Sequence, residues 1–170
     1  MGTPVEIERK YVIKKPKLSD LTACEEYSVS EIRQTYLESE DGVTHRVRMR
    51  RYQDGVVYTE TKKVRIDKIS SYEDERQIDE AEYLRLLSGI KKGTRTLRKT
   101  RHAFSYLGQS FEIDIYPEWS RAAIMETELS RRDFKVSIPP FISVVAEVSG
   151  DFRYSNAAMS KEFPKEPIEL

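Results

Sequence analysis

Cysteine is almost absent from this sequence: Cys24 is the single one in 170 residues. No intramolecular disulfide can form, which points to a reducing compartment. Histidine is scarce too. His45 and His102, with one cysteine, are too few for a zinc cage. Any bound metal should therefore be a hard cation held by carboxylates. Net charge is also missing, with 29 Lys and Arg against 29 Asp and Glu. That balance argues against a simple cationic nucleic-acid binder. No stretch approaches the roughly 20 apolar residues that span a bilayer, and charge begins at Glu6, inside any would-be apolar leader. These absences predict a cytoplasmic protein with no membrane or nucleic-acid partner. The length suits one domain over residues 1–170.

What is present is alternation. Strands are expected over Val5–Ile13, Ile32–Glu38, Thr44–Tyr52, Val56–Val64 and Ser71–Ile78, then Thr96–Leu107, Ser110–Tyr116, Ile124–Leu129 and Ser143–Val148. Asp54-Gly55 marks a hairpin, and Asp41-Gly42 and Leu107 to Ser110 mark further turns. Asp79 to Ile90 reads as the clearest helix: Asp79 caps it, Glu82 follows three residues on, and Ala81, Leu84 and Leu87 share a face with Tyr83 near. Short helices are expected within Pro16–Tyr27 and Ser130–Val136, and a capped turn at Ser155–Lys161. About eight strands with few helices predict a mainly β fold, an antiparallel barrel.

The faces of these strands are unusual. Glu6, Glu8 and Lys10 share one face of the first strand, and Arg46, Arg48 and Arg50 share one of the third. Glu112 and Asp114 oppose Phe111, Ile113 and Ile115, while Glu126 and Glu128 oppose Met125 and Leu129. Lys99 pairs with Arg101, and Glu73 with Glu75, in the same way. Each face alone reads as an ordinary solvated exterior. Together they segregate by sign, and like charges along a sheet repel unless something of opposite sign lies between them. Arginine ladders suit phosphate oxygens and carboxylate pairs suit a cation. Both in one interior suit a polyphosphate carried with Mg²⁺ or Mn²⁺.

Glu6-Ile7-Glu8-Arg9-Lys10 resembles the Glu-x-Glu-x-Lys signature of the CYTH superfamily, the triphosphate tunnel metalloenzymes. Other segments resemble the family in the same order: Gln34-Thr35-Tyr36-Leu37, Arg48-Met49-Arg50, Lys62, Glu73 and Glu75, Lys99-Thr100-Arg101, Phe111 to Asp114, Glu126-Thr127-Glu128, and Asp151 to Met159. The resemblance implies an eight-stranded barrel enclosing a tunnel and a metal-dependent triphosphatase, similar to small bacterial tripolyphosphatases. It implies that Lys10, Arg48, Arg50, Lys62, Lys99 and Arg101 hold phosphates. Glu6, Glu8, Glu126 and Glu128 would face the metal, with Glu75, Glu112 and Asp114 as a supporting acidic set. Lys10 and Tyr36 would form the catalytic pair, although the proton acceptor stays open between Lys10, Tyr36 and a glutamate.

The chain departs from the family in places. Ser71-Tyr72 stands where an arginine is common, Arg46 is an extra arginine, and His102 replaces an aromatic. These changes bear on nucleotide preference more than on reaction class. An adenylate cyclase, which the superfamily also contains, and a non-catalytic polyphosphate or nucleotide binder are the competing readings. A homodimer is left open.

Overall fold

The computed structural model describes residues 5–168. Nine strands form one sheet: β1 Val5–Lys14, β2 Glu25–Leu37, β3 Val43–Tyr52, β4 Gly55–Arg65, β5 Ser70–Ile78, β6 Leu97–Tyr106, β7 Gln109–Ile115, β8 Ala122–Glu128 and β9 Val144–Glu147. Among the described residues three α-helices accompany them, α1 Leu18–Thr22, α2 Glu80–Leu87 and α3 Asn156–Lys161, with a 3₁₀ turn at Phe152–Tyr154. The order β5-β4-β3-β2-β6-β7-β8-β1 closes on itself because β1 also pairs with β5, and β9 is added outside this ring, on β1. The result is the expected eight-stranded antiparallel barrel with one extra strand. Closure is brief: Val5, Ile7 and Glu6 pair with Tyr72, Ser70 and Ser71, after which β1 turns to β9. No helix among the described residues is long and apolar enough to cross a membrane.

Local chemistry explains most of the elements. Asp79 caps α2 by accepting from the Glu82 backbone N–H, and Ser155 caps α3 by accepting from Ala158 N–H. The β6–β7 hairpin turns on Leu107 and Gly108, both at positive φ, the twist that suits flanking right-handed strands. Other elements depart from expectation. β2 begins at Glu25, seven residues before the expected Ile32, because a bulge between Glu25 and Ser28 and a positive φ at Glu26 break its alternation. The β3–β4 loop is Gln53-Asp54, one residue before the expected Asp54-Gly55, since Tyr52 pairs with Gly55. Ser130 to Val136 is not helical. Instead, Val136, with Ile138, Phe141 and Ile142 of the proline-containing segment after it, packs on the barrel wall. On α2 the buried side chain is Tyr83, and Leu84 faces solvent.

Apolar packing occurs in three places. Leu37, Val47 and Ile78 meet Tyr83 under α2 on the outer wall. Tyr11, Ile13, Phe104, Phe111, Ile113 and Met125 form a second outer patch, covered by Leu21 of α1 and Ile142. The third cluster includes Val12, Leu97, Tyr116, Ile124, Tyr154 and Met159. Val12 and Ile124 continue the even-numbered faces of β1 and β8 that also carry Lys10 and Glu126. This cluster therefore fills one end of the interior, leaving the rest to charge.

Candidate functional site

Register decides which side chains face inward. Arg46, Arg48 and Arg50 lie opposite Thr61, Thr59 and Val57 on β4, and opposite Tyr36, Gln34 and Ile32 on β2. Directly paired residues share a face. The inward set encloses a cavity of about 330 Å³. Of the residues singled out from sequence, Glu6, Glu8, Lys10, Tyr36, Arg48, Arg50, Glu75, Lys99, Arg101, Glu112, Glu126 and Glu128 line it. Two others lie elsewhere. Asp114 is buried beside the cavity, holding Lys99 Nζ at 2.8 Å and the Arg101 guanidinium at 2.7 and 2.8 Å. Lys62 lies on the outer wall with Glu60, Asp74 and Arg76, because it is paired with His45 rather than with an inward arginine.

Lys63 takes the inward place. Its ammonium lies 2.9 Å from Glu6, 3.5 Å from Glu73 and 3.8 Å from Glu8. Arg46, Arg65 and Glu73 also line the cavity. The hairpin carried the signal for Lys63. A two-residue loop at either Gln53-Asp54 or Asp54-Gly55 sets even-numbered β3 residues opposite odd-numbered β4 residues, so the Arg46–Arg50 ladder fixes Lys63 as the inward lysine.

The cavity has an arginine wall and a carboxylate wall. Arg46 and Arg48 reach Glu75 at 3.9 and 3.7 Å, yet the Nε of each is buried without a hydrogen-bond partner. Burial, with Arg46 and Arg101 alongside, lowers Arg48 to about 10. Unpaired buried donors are costly, and an anion's oxygens would satisfy them. Across the interior, burial and the nearby Glu126 push the Glu8 carboxyl up to about 7. Burial and a hydrogen bond with Glu73 raise Glu6, while burial and the charges of Glu6 and Glu112 raise Glu128. Glu126 behaves oppositely: burial raises it, but Lys10, 3.4 Å away, helps hold it at about 2. Lys10 Nζ also donates to the Tyr154 carbonyl at 3.2 Å.

Crowded, half-buried carboxylates whose repulsion Lys63 and Lys10 offset only in part are the donors a hard divalent cation prefers. Among the described residues no three potential ligands form a ready metal cage. The donor chemistry fits such a cation, while Lys63 supplies positive charge to the cluster.

The Glu8 shift predicts a pH effect on the metal-free protein. Its folded pKa lies above that of a free glutamate, so the fold binds more protons than the unfolded chain between about pH 4.5 and 7. Stability from this group is complete below that window and is lost as pH rises through about 7. In chelator, melting temperature should fall between pH 5.5 and 8, and Glu8→Gln should remove most of that slope. A difference of about 2–3 kcal/mol is expected across the window. Parallel slopes for the two proteins would refute the assignment.

The inorganic triphosphatase NE1496 shares 29% identity with this chain, covering 97% of it and 99% of that structure, with a TM-score of 0.59. The chain has the CYTH tunnel fold. PH1819 from Pyrococcus horikoshii OT3 is similar in fold, at 20% identity over 75% of this chain and 80% of that one, TM-score 0.54. A putative adenylate cyclase from Vibrio parahaemolyticus, at 11% identity, covers 74% of this chain and 78% of its own, TM-score 0.50. No family model matches the sequence, and a search of curated proteins finds no relative. Because a protein described as a putative cyclase has the same tunnel fold, the fold does not fix the reaction.

Proposed function

We propose that this tunnel protein hydrolyses a triphosphate, with inorganic tripolyphosphate as the first substrate to test and Mg²⁺ or Mn²⁺ as the cation. The observation that carries this reading is the sign-separated interior: Arg46 and Arg48, with buried unpartnered Nε groups, lie in the same cavity as carboxylates raised by burial and mutual repulsion. The likeness to NE1496 supports it.

In this reading Arg46, Arg48 and Arg50 run along one strand and neutralise phosphate oxygens, with Lys10 and Lys63 as further cations. Arg50 is held for this by donating from Nε to Ser30 Oγ at 2.8 Å and by resting over the Tyr52 ring. Lys99 and Arg101, fixed by Asp114, add positive potential from the floor. Glu6, Glu8, Glu126 and Glu128 would hold the divalent cation, with Glu73, Glu75 and Glu112 in support. When bound, the cation would neutralise phosphate charge and lower the pKa of water. Positioning and electrostatics supply most of the rate in phosphoryl transfer.

The test is phosphate release from tripolyphosphate and from ATP in Mg²⁺, Mn²⁺ or EDTA. Release from tripolyphosphate that falls to background in EDTA is expected. Folded protein that releases none, but makes cyclic AMP and pyrophosphate from ATP, would replace this reading with a cyclase.

A further inference from the structure

We propose that Gln34 sets Tyr36 as a hydrogen-bond donor to the substrate, which makes Gln34 a positioning residue. The proposal rests on the triphosphate reading above. Gln34 and Tyr36 stand two apart on β2, on its inward face, in register with Arg48 and Arg46. Gln34 is 0% exposed and Tyr36 is 5% exposed. The Gln34 Nε2 amide donates to the Tyr36 hydroxyl at 2.6 Å. A phenol that accepts from one side must turn its own proton elsewhere.

The side chain nearest in register, Arg46, has five donors and no acceptor, so it cannot receive that proton. An oxygen of a bound phosphate can. The other end of the amide, Gln34 Oε1, is buried without a hydrogen-bond partner. Tyr36 thus meets the substrate as a neutral donor, and the proton of the attacking water goes elsewhere.

The test compares Gln34→Glu, Gln34→Met and Tyr36→Phe, alone and as the pair Gln34→Glu/Tyr36→Phe. Both tripolyphosphate turnover and calorimetric binding of tripolyphosphate are measured. A carboxylate at position 34 accepts the phenolic proton and withdraws it from the substrate. Gln34→Glu should therefore lose about tenfold in kcat/KM, as should Tyr36→Phe, and should add nothing in the Tyr36→Phe background. Gln34→Met, which lets the phenol rotate, should lose less.

Wild-type turnover with Gln34→Glu would mean that Gln34 accepts from Tyr36, overturning the proposal. An equal loss with and without the Tyr36 hydroxyl would also overturn it, by showing a packing role only. If the wild type binds tripolyphosphate without turning it over, the triphosphatase reading fails, and the same comparison of affinities still decides the role of Gln34.

Discussion

Lys63→Ala should lower kcat/KM for tripolyphosphate by about 10²–10³-fold, while Lys62→Ala should stay within about twofold of wild type. The two residues are neighbours in sequence but occupy opposite sides of the barrel wall. Lys63 is enclosed by Glu6, Glu8 and Glu73, whose negative charge outweighs burial and raises the lysine's affinity for its proton. It is thus a full positive charge in the metal-free cavity. Removing it leaves three carboxylates with less counter-charge and takes one cation from the phosphate path. Lys62 is exposed on the outer wall. Steady-state kinetics on both variants, with circular dichroism as a fold control, decides the matter. A larger loss for Lys62→Ala would mean that the β3–β4 register is wrong by one residue, because a one-residue slip exchanges the faces.

Asp114→Asn should cost about 3–5 kcal/mol, the range for removing one partner of a buried ion pair. For a chain of this size that corresponds to a melting temperature lower by roughly 6–20 °C. Asp114 is 1% exposed and serves Lys99 and Arg101 together. Burial alone would raise its pKa, but Arg101 and Lys99 hold it well below the usual carboxylate range. Asparagine has nearly the same shape and no charge. Arg101 would retain Glu112 at 2.8 Å, whereas Lys99, already lowered to about 8 chiefly by burial, would be left to shed its proton.

The pH dependence follows from the depressed Asp114 pKa. Its stabilisation is present above the unfolded pKa, about 4, and is lost as pH falls toward the folded value. The gap between wild type and variant should therefore narrow in acid. Tripolyphosphate should restore part of the loss by supplying the missing negative charge. Thermal melts across pH, with and without the anion, test this. A variant that melts within 2 °C of wild type, at roughly 2–4 °C per kcal/mol, would show that Asp114 is not the anchor.

The barrel was legible because alternation and turn chemistry are local. The Arg46–Arg50 ladder, the Glu126–Glu128 pair and the Asp79 cap each need only a few consecutive residues. Where local patterns break, sequence misleads: Glu25 and Glu26 begin β2 behind a bulge, and Leu84 matches the helical period yet is exposed. Which side chains line the cavity followed from the same alternation except at Asp114, which is buried beside it, and at Lys62, where the motif position disagrees with the parity set by the hairpin. What alternation cannot show is pairing across distant strands. Asp114 meets Lys99 and Arg101 across the local β6–β7 hairpin, whereas that Lys63 of β4 would meet Glu6 and Glu8 of β1 depends on closure of the sheet. The Gln34–Tyr36 bond is short-range in sequence, but its meaning depends on Arg46 across the pair.

The split pairing of β1 also orders events in time. Its partners are Ser70–Tyr72, Ala122–Glu128 and Val144–Glu147, all far along the chain. Such non-local contacts must repay loop-closure entropy before they stabilise anything, which slows folding. On a ribosome, β1 is made well before the strands that lock it. Glu6, Glu8 and Lys10 ride on that strand, so the chemistry of the interior is assembled only after β8 and β9 have been made.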